Sequence, residues 1–203
     1  MIGKTAAFRN KTALITGGAK RLGRAIALAL AAEGSNCIIH YRGSPDAAEE
    51  TAVSVRSEGV KAWILQADLA DSRQAEDLIA LCQETSGHTI DILINNASIF
   101  PAGTLMELSA GDLAANMQVN AMAPLQISRA MARASHSGCI INLLDSRMDD
   151  YDAAHVAYHL SKRALHSLTR MLAVELAPRF RVNAVAPGLV LPPAGKSDDY
   201  LQS

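Results

Sequence analysis

Two side chains in the second half of the chain have the types and spacing of a proton-transfer pair. Tyr158 and Lys162 are four residues apart in a stretch with helical spacing, so both side chains lie on one face of the predicted helix. A phenol with an ordinary pKa of about 10 is a poor proton donor at neutral pH. An adjacent ammonium stabilises the phenolate and should move the pKa of the tyrosine towards neutrality. The pair is therefore predicted to exchange a proton with a bound substrate.

An acid and a hydroxyl end one of the apolar runs before this pair. The segment Ile141-Asn-Leu-Leu-Asp-Ser-Arg147 brings Asp145 and Ser146 to the end of a predicted strand. Successive side chains of a strand point to opposite faces, so only one of the two faces a site unless a bulge intervenes. A hydroxyl would donate a hydrogen bond to a substrate carbonyl, whereas a carboxylate accepts one. The segment alone leaves both possibilities open.

A glycine-rich turn follows the first apolar run. Thr16-Gly-Gly-Ala-Lys-Arg-Leu-Gly23 leads directly into the predicted helix Arg24–Ala32. Glycines let backbone amides approach a pyrophosphate, and a helix N-terminus adds partial positive charge. The turn therefore predicts a dinucleotide phosphate site.

Basic residues stand where a dinucleotide site often has an acid. After the second apolar run, His40-Tyr-Arg-Gly-Ser44, no acid occurs before Asp46 to hold the adenosine ribose hydroxyls. Arg42, with Ser44 and Lys20, can instead neutralise a 2'-phosphate. The sequence therefore predicts NADPH rather than NADH as the cofactor.

These motifs belong to a chain in which apolar runs and helical segments alternate six times. Continuous apolar runs are typical of strands covered on both faces, and this order predicts a doubly wound parallel α/β sheet with ligands beyond the carboxyl ends of its strands. A length of 203 residues predicts a single domain over 1–203. The predicted strands are Ala13–Ile15, Asn36–Tyr41, Ala62–Leu65, Ile90–Ile94, Cys139–Leu144 and Arg181–Ala186.

Composition excludes several classes of partner. A net charge of -1 with 19% charged residues gives no basic excess for nucleic acid. No stretch approaches the roughly 18 apolar residues of a membrane span, and Met1 to Lys11 has no signal-peptide core, so a cytoplasmic protein is expected. Cys37, Cys82 and Cys139 lie among apolar neighbours and are expected to be buried thiols, with no metal site.

From the glycine turn onwards, the sequence resembles the short-chain dehydrogenase/reductase family over nearly its whole length. The match is carried by the TGxxxGxG pattern at Thr16, Gly17 and Gly23, by Asn95-Asn-Ala-Ser98, by the YxxxK motif and by Pro187-Gly188. The resemblance implies a Rossmann-like fold with a nicotinamide cofactor. Together with the phosphate argument, it assigns the cofactor groove to Gly17, Lys20, Arg21, Leu22, Gly23, His40, Tyr41, Arg42, Ser44, Asp68, Leu69, Asn95, Ala97, Ser98, Tyr158, Lys162, Pro187, Gly188 and Val190.

The resemblance also assigns catalytic roles. Asn120 matches the family's helix asparagine, which relays protons through water to the lysine. The family's serine precedes the tyrosine by thirteen residues, and counting back from Tyr158 gives Asp145, with Ser146 one residue late. Asp145, Tyr158, Lys162 and Asn120 are the expected catalytic residues. Asp68 is expected at the adenine edge, although an acid capping the next helix is an equal alternative from the sequence alone.

Three departures from the family pattern coincide. Arg21 replaces the middle glycine of TGxxxGxG, Ser98 replaces the glycine of NNAG, and Asp145 replaces the serine. Together they resemble the pteridine reductase branch, in which Phe100 would stack on the pterin. The resemblance implies reduction of a dihydropterin or dihydrofolate, with protons delivered by Tyr158 and Asp145. The substrate residues would be Arg21, Ser98, Phe100, Asp145 and Tyr158.

Two other functions remain open, namely a 3-oxoacyl thioester reductase that uses Ser146 through a register shift, and an idle NADPH-binding relative. The family's last helix and strand are not found in the sequence, and residues from Pro192 to Ser203 are predicted to form an irregular polar tail. The helices from Leu113 and from Ala153 match those that build the family's dimer, so a homo-oligomer, a dimer or tetramer, is expected.

Overall fold

A computed structural model describes residues 8–191 of the chain. The strands are β1 (Thr12–Ile15), β2 (Asn36–Tyr41), β3 (Ala62–Gln66), β4 (Ile92–Asn95), β5 (Gly138–Leu143) and β6 (Phe180–Val185). The helices are α1 (Arg21–Ala32), α2 (Pro45–Ser57), α3 (Ser72–Ser86), α4 (Ala110–Met117), α5 (Ala123–Ala134) and α6 (Val156–Glu175), and a π-helical turn, Gln118–Met122, joins α4 to α5.

All six predicted strands are present, and they form one parallel sheet. The strand order is β3-β2-β1-β4-β5-β6, so the chain runs outwards from β1 in one direction and then returns to continue from β4 in the other. β1 and β4 are neighbours, and the direction in which the chain adds strands to the sheet reverses between them. Open α/β sheets bind ligands in the crevice beyond the carboxyl ends of two such strands. The predicted doubly wound single domain is confirmed.

The strands are apolar on both faces because helices cover both sides of the sheet. Leu14 packs into a cluster with residues of α3, α5 and α6, whereas the next residue, Ile15, packs into a second cluster with residues of α1 and α2. This alternation follows from the two-residue period of a strand. Burying one such side chain stabilises the fold by about 1.5–3 kcal/mol.

Side-chain caps fix where two of the helices begin. Asp71 accepts hydrogen bonds from the backbone of Arg73 and Gln74 at the start of α3, and Ser109 and Asp112 form a reciprocal capping box at the start of α4. Asp71, not Asp68, is therefore the cap of α3. The alternative role considered for Asp68 is excluded.

Two of the three cysteines are buried, as predicted, and the third is not. Burial raises the pKa of Cys37 and of Cys82 to about 12, so neither is a nucleophile at neutral pH. Cys139 is only partly buried, contrary to expectation. Within residues 8–191 there is no cluster of potential metal ligands.

The structure bears on the membrane prediction but not on the predicted tail or the predicted oligomer. None of the helices in the described range is long and apolar enough to cross a membrane. The tail predicted from Pro192 lies outside the described residues. The homo-oligomer stays a prediction.

Candidate active site

The glycine loop between β1 and α1 has a backbone shape that few side chains tolerate. Gly17 has a φ of 62° and Arg21 a φ of 50°, both in the left-handed region. Arg21 thus stands, with a strained backbone, where the family pattern has a glycine. At Gly23, an added Cβ would lie 2.2 Å from the carbonyl oxygen of Gly17. The close packing of α1 against the loop therefore requires glycine at 23.

Thr16 and Asn96 fasten this loop to the end of β4. The Thr16 hydroxyl accepts from the amides of Asn96 and Ala97, each at 3.0 Å. The Asn96 side chain donates to the carbonyls of Thr16 (2.9 Å) and Gly17 (3.1 Å). Neither residue was predicted as a site residue, although both lie inside motifs that the sequence shows. Together they fix the distance between the glycine loop after β1 and the segment after β4.

The buried ring of His40 supports the glycine loop from below. Its Nδ1 accepts a hydrogen bond from the Gly17 amide at 3.1 Å, and its Nε2 lies 3.1 Å from the carbonyl oxygen of Ala67. The two partners require a neutral ring with its proton on Nε2. Burial lowers the pKa of His40 to about 4, which keeps the ring neutral at physiological pH. His40 therefore supports Gly17, and its contact with the cofactor stays a prediction.

A small cavity collects several predicted cofactor residues at the carboxyl edge of the sheet. Its volume is about 190 Å³, and its lining residues are Gly17, His40, Arg42, Asp68, Leu69, Ala97, Ser98, Ile99 and Val119. The charged side chains of Lys20 and Arg42 are both exposed, and Ser44 precedes α2 with its side chain making no capping bond. A larger cavity of about 680 Å³, at the amino ends of β1, β4 and β5, contains none of the predicted site residues.

Three predicted cofactor residues point away from the groove. Tyr41 and Leu22 pack against the apolar cluster beneath α1 and α2. Asn95 is buried and donates to Asn142 at 2.8 Å and to Ser128 at 3.4 Å. Since side chains alternate along a strand, the asparagine that reaches the glycine loop is the next one, Asn96. The side chains of Tyr41, Leu22 and Asn95 thus have protein partners, and contact of these residues with the cofactor stays a prediction.

The tyrosine and the acid singled out by spacing meet at the end of β5. The Tyr158 hydroxyl donates a hydrogen bond to Oδ2 of Asp145 at 3.1 Å. The other carboxylate oxygen, Oδ1, accepts from the amide of Arg147 at 2.7 Å. Ser146 is exposed and makes no such contact. Asp145, two residues beyond the last residue of β5, is thus the residue that faces Tyr158, as its spacing predicted.

Lys162 does not donate to the tyrosine hydroxyl. Its Nζ donates to the carbonyl of Leu143 at 2.7 Å and lies 5.6 Å from the centre of the Tyr158 ring. Burial lowers the pKa of Lys162 to about 8, although the charge of Asp145 opposes this. Burial, together with the charge and hydrogen bond of Asp145, raises the pKa of Tyr158 above its ordinary value. The prediction of a tyrosine with a lowered pKa is therefore wrong for this state, in which the carboxylate favours the neutral phenol.

Asn120 lies in the π-helical turn between α4 and α5, and its side chain is fully buried. Its Oδ1 accepts from the amide of Ile99 (2.9 Å) and from the hydroxyl of Ser98 (3.1 Å). Its Nδ2 donates to the carbonyl of Ile99 and to the hydroxyl of Ser161, both at 3.0 Å. A π turn often marks a functional site, and here it brings Asn120 against the loop after β4. The asparagine fixes this loop, and a water relay to Lys162 stays a prediction.

Phe100 completes a wall beside the tyrosine. Its ring contacts Tyr158 edge to face, with centroids 4.5 Å apart, and stacks on His155 at 3.8 Å. Phe100 is 55% exposed, so much of this residue is accessible from solvent. Arg21 is exposed in the glycine loop, and its contact with a substrate stays a prediction.

The segment after β6 reaches the same edge of the sheet. The amide of Leu144 donates to the carbonyl of Val185 at 2.8 Å, which joins the end of β5 to the end of β6. Pro187, Gly188 and Val190 follow directly, and Val190 is exposed. The predicted turn is therefore close in the fold to the segment that carries Asp145.

The family model of short chain dehydrogenases matches residues 11–200. The chain belongs to the short-chain dehydrogenase family. Among its relatives, the 3-oxoacyl-[acyl-carrier-protein] reductase of Staphylococcus epidermidis is 33% identical over 187 residues, which are 90% of this chain and 76% of that protein. The family predicted from the motifs is confirmed, and the protein is an oxidoreductase.

Solved members of the short-chain dehydrogenase family superpose closely. The alternative dihydrofolate reductase FolM of Brucella canis, complexed with NADP, has a TM-score of 0.84 and 35% identity and covers 91% of this chain and 75% of its own. A short chain dehydrogenase of Burkholderia cenocepacia, also in complex with NADP, has a TM-score of 0.87 and 35% identity, covering 96% and 82%. The fold is thus shared with one protein named as a folate reductase, whereas the Staphylococcus relative is named as an oxoacyl reductase.

Proposed function

We propose that this protein is an NADPH-dependent reductase of dihydropterins or dihydrofolate. The observation that carries the proposal is the hydrogen bond from Tyr158 to Asp145. A ketone reductase needs a second donor at this position, for the developing alkoxide, and a carboxylate offers an acceptor. Reduction of a ring C=N bond instead needs a hydride at carbon and a proton at nitrogen, and a tyrosine paired with an acid can supply the proton.

The residues at the carboxyl edge fit the cofactor. Gly17, Gly23 and the N-terminus of α1 form a cradle in which backbone amides can approach a pyrophosphate. Exposed Arg42 and Lys20 suit a 2'-phosphate, and no acid competes with them directly after β2. Reduced nicotinamide supplies the hydride when NADPH is bound. The two solved neighbours that carry NADP support this choice.

Each side chain of the site then has a defined task. Tyr158 gives its hydroxyl proton to the ring nitrogen, and half-buried Asp145 connects Tyr158 to solvent for its reprotonation. Lys162 places a positive charge beneath the Tyr158 ring. Phe100 offers a flat face to a flat heterocycle, which favours offset stacking. The FolM neighbour from Brucella canis supports this substrate class.

A substrate panel tests the proposal. Purified protein with NADPH is given dihydrobiopterin, dihydromonapterin, dihydrofolate or an acetoacetyl thioester, and the loss of NADPH absorbance is followed. Turnover of at least one dihydropterin or dihydrofolate is expected. Turnover of the thioester alone would instead establish the oxoacyl reductase, which the Staphylococcus relative favours. NADPH binding without any turnover would identify an idle relative.

Substitutions at Asp145 give the second test. Asp145→Asn keeps the shape and removes the charge, and it should lower kcat/KM for the pterin about 100-fold while the Kd for NADPH stays unchanged. Asp145→Ser should abolish pterin turnover and raise thioester turnover, because a hydroxyl donor now faces Tyr158. Asp149→Asn, at an exposed position in the same loop, is the matched control and should behave as the wild type. Unchanged pterin turnover in Asp145→Asn would contradict the role of the carboxylate.

A further inference from the structure

The ring of Phe100 is held from one side by a histidine that no part of the proposed mechanism uses. His155 stacks on Phe100 with centroids 3.8 Å apart and an interplanar angle of 14°. The other aromatic contact of Phe100, with Tyr158, is edge to face at 86°. The plane of the Phe100 ring is therefore defined by His155, because an edge contact alone leaves the ring free to tilt.

A carboxylate in turn fixes the imidazole of His155. Its Nδ1 lies 3.1 and 3.2 Å from the two carboxylate oxygens of Asp152. A carboxylate only accepts hydrogen bonds, so Asp152 requires a proton on Nδ1 and thereby fixes the orientation of the ring. Asp152 is itself immobilised, since it accepts from the amides of Ala154 (2.9 Å) and His155 (3.1 Å). Burial opposes ionisation, but the hydrogen bonds and the charges of His155 and Arg147 keep the pKa of Asp152 below its ordinary value.

The backbone joins the same two segments. The amide of Gly103 donates to the carbonyl of Ala154 at 2.8 Å, and the amide of Val156 donates to the carbonyl of Gly103 at 3.1 Å. On the other side of Phe100, Asn120 binds both the amide and the carbonyl of Ile99. The chain is thus fastened before and after Phe100, and the Asp152–His155 pair supplies the remaining constraint, on the side-chain ring.

We propose that Asp152 and His155 are positioning residues that fix the plane of the Phe100 ring, and that they thereby make the site selective for a flat conjugated ring over an open-chain carbonyl compound. The inference rests on the proposed function, in which Phe100 is the stacking face. A ring held in one plane has already lost its rotational freedom, so a flat substrate that stacks on it does not bear that entropic cost. An open-chain substrate gains nothing from the orientation.

Variants of His155 separate the stack from the carboxylate bond. His155→Ala removes both and should raise the KM for the dihydropterin about 3- to 10-fold, the value of one aromatic contact, with kcat and the Kd for NADPH unchanged. His155→Phe keeps a stacking ring and should recover most of this loss. Asp152→Asn, which removes the charge that aligns the imidazole, should fall between them. His166→Ala, an exposed histidine on α6, is the matched control and should leave KM unchanged.

A structural readout accompanies the kinetics. In the unliganded protein, stacking on Phe100 should shift the NMR signals of the His155 ring protons upfield, and Phe100→Leu should remove that shift. An unchanged KM in His155→Ala, or ring signals that do not respond to Phe100→Leu, would overturn the inference while wild-type pterin turnover stands. If the wild type turns over no pterin, the proposed function fails, and the selectivity inferred from it fails with it.

Discussion

The two walls of the crevice are built in different ways. On the cofactor side, Thr16, Asn96 and His40 tie the glycine loop to strand ends through a network of partly buried hydrogen bonds. On the substrate side, Phe100 and the segment from Asp145 to His155 lie on exposed loops, joined to the rest by a few contacts. Loops on a rigid scaffold tolerate change, whereas an interlinked network of hydrogen bonds tolerates it less. This difference explains how one fold serves relatives that are named for different substrates.

The largest loss of activity is expected on the substrate side, from Tyr158→Phe. Removing the hydroxyl deletes the proton donor and its bond to Asp145, so kcat should fall about a thousandfold, while the Kd for NADPH changes far less. Single-turnover kinetics and a separate binding titration measure the two effects. Equal losses in both quantities would mean that the tyrosine belongs to the cofactor wall instead.

His40 makes the cofactor side sensitive to acid. Its pKa is lowered from 6.5 to about 4 in the folded protein. Between pH 6.5 and 4, His40 binds a proton in the unfolded chain but stays neutral in the folded one. The free energy of unfolding therefore decreases as the pH falls towards 4, by up to about 3 kcal/mol. His40→Asn does not titrate there. The free energy of unfolding of the wild type, measured against that of His40→Asn, should therefore fall between pH 6.5 and 4, and a constant difference would show that His40 is not buried in neutral form.

Gly23→Ala tests how tightly the cofactor wall is packed. The new methyl group would collide with the Gly17 carbonyl at 2.2 Å, and because both groups belong to the backbone the loop must move. Overpacking of this kind costs about 2 kcal/mol, so the Kd for NADPH should rise about thirtyfold. At Gly111 the nearest atom to an added Cβ is 3.7 Å away, so Gly111→Ala is the matched control. Normal NADPH affinity in Gly23→Ala would contradict the close packing.

The smallest effect is expected at Ser146. Its side chain is exposed and does not contact Tyr158, so Ser146→Ala should change kcat/KM for a dihydropterin less than about twofold, as surface substitutions usually do. A large loss of turnover would show that the hydroxyl, rather than the carboxylate of Asp145, faces the substrate. The same steady-state assay used for the substrate panel decides this point.

Much of this molecule could be predicted from local patterns. The six strands appear within two residues of the predicted bounds, since runs rich in Val and Ile suit strands buried on both faces. The meeting of Asp145 and Tyr158 was also predicted, from their spacing in the family motif. The functions of Thr16 and Asn96 were missed, although they lie in quoted motifs, because nothing in a linear pattern shows which side chains bridge two strand ends.

What the sequence by itself determined is the order of elements, the glycine loop and the pairing of Tyr158 with Asp145, because these depend on residue type and short spacing. Only the tertiary structure decided that His40 and Asn95 face inwards and that the pKa of Tyr158 is raised. The same is true of the stack of Phe100 on a histidine aligned by Asp152. Side-chain direction, burial and the local field arise when segments far apart in the chain pack together, and none of the three is a property of a single segment.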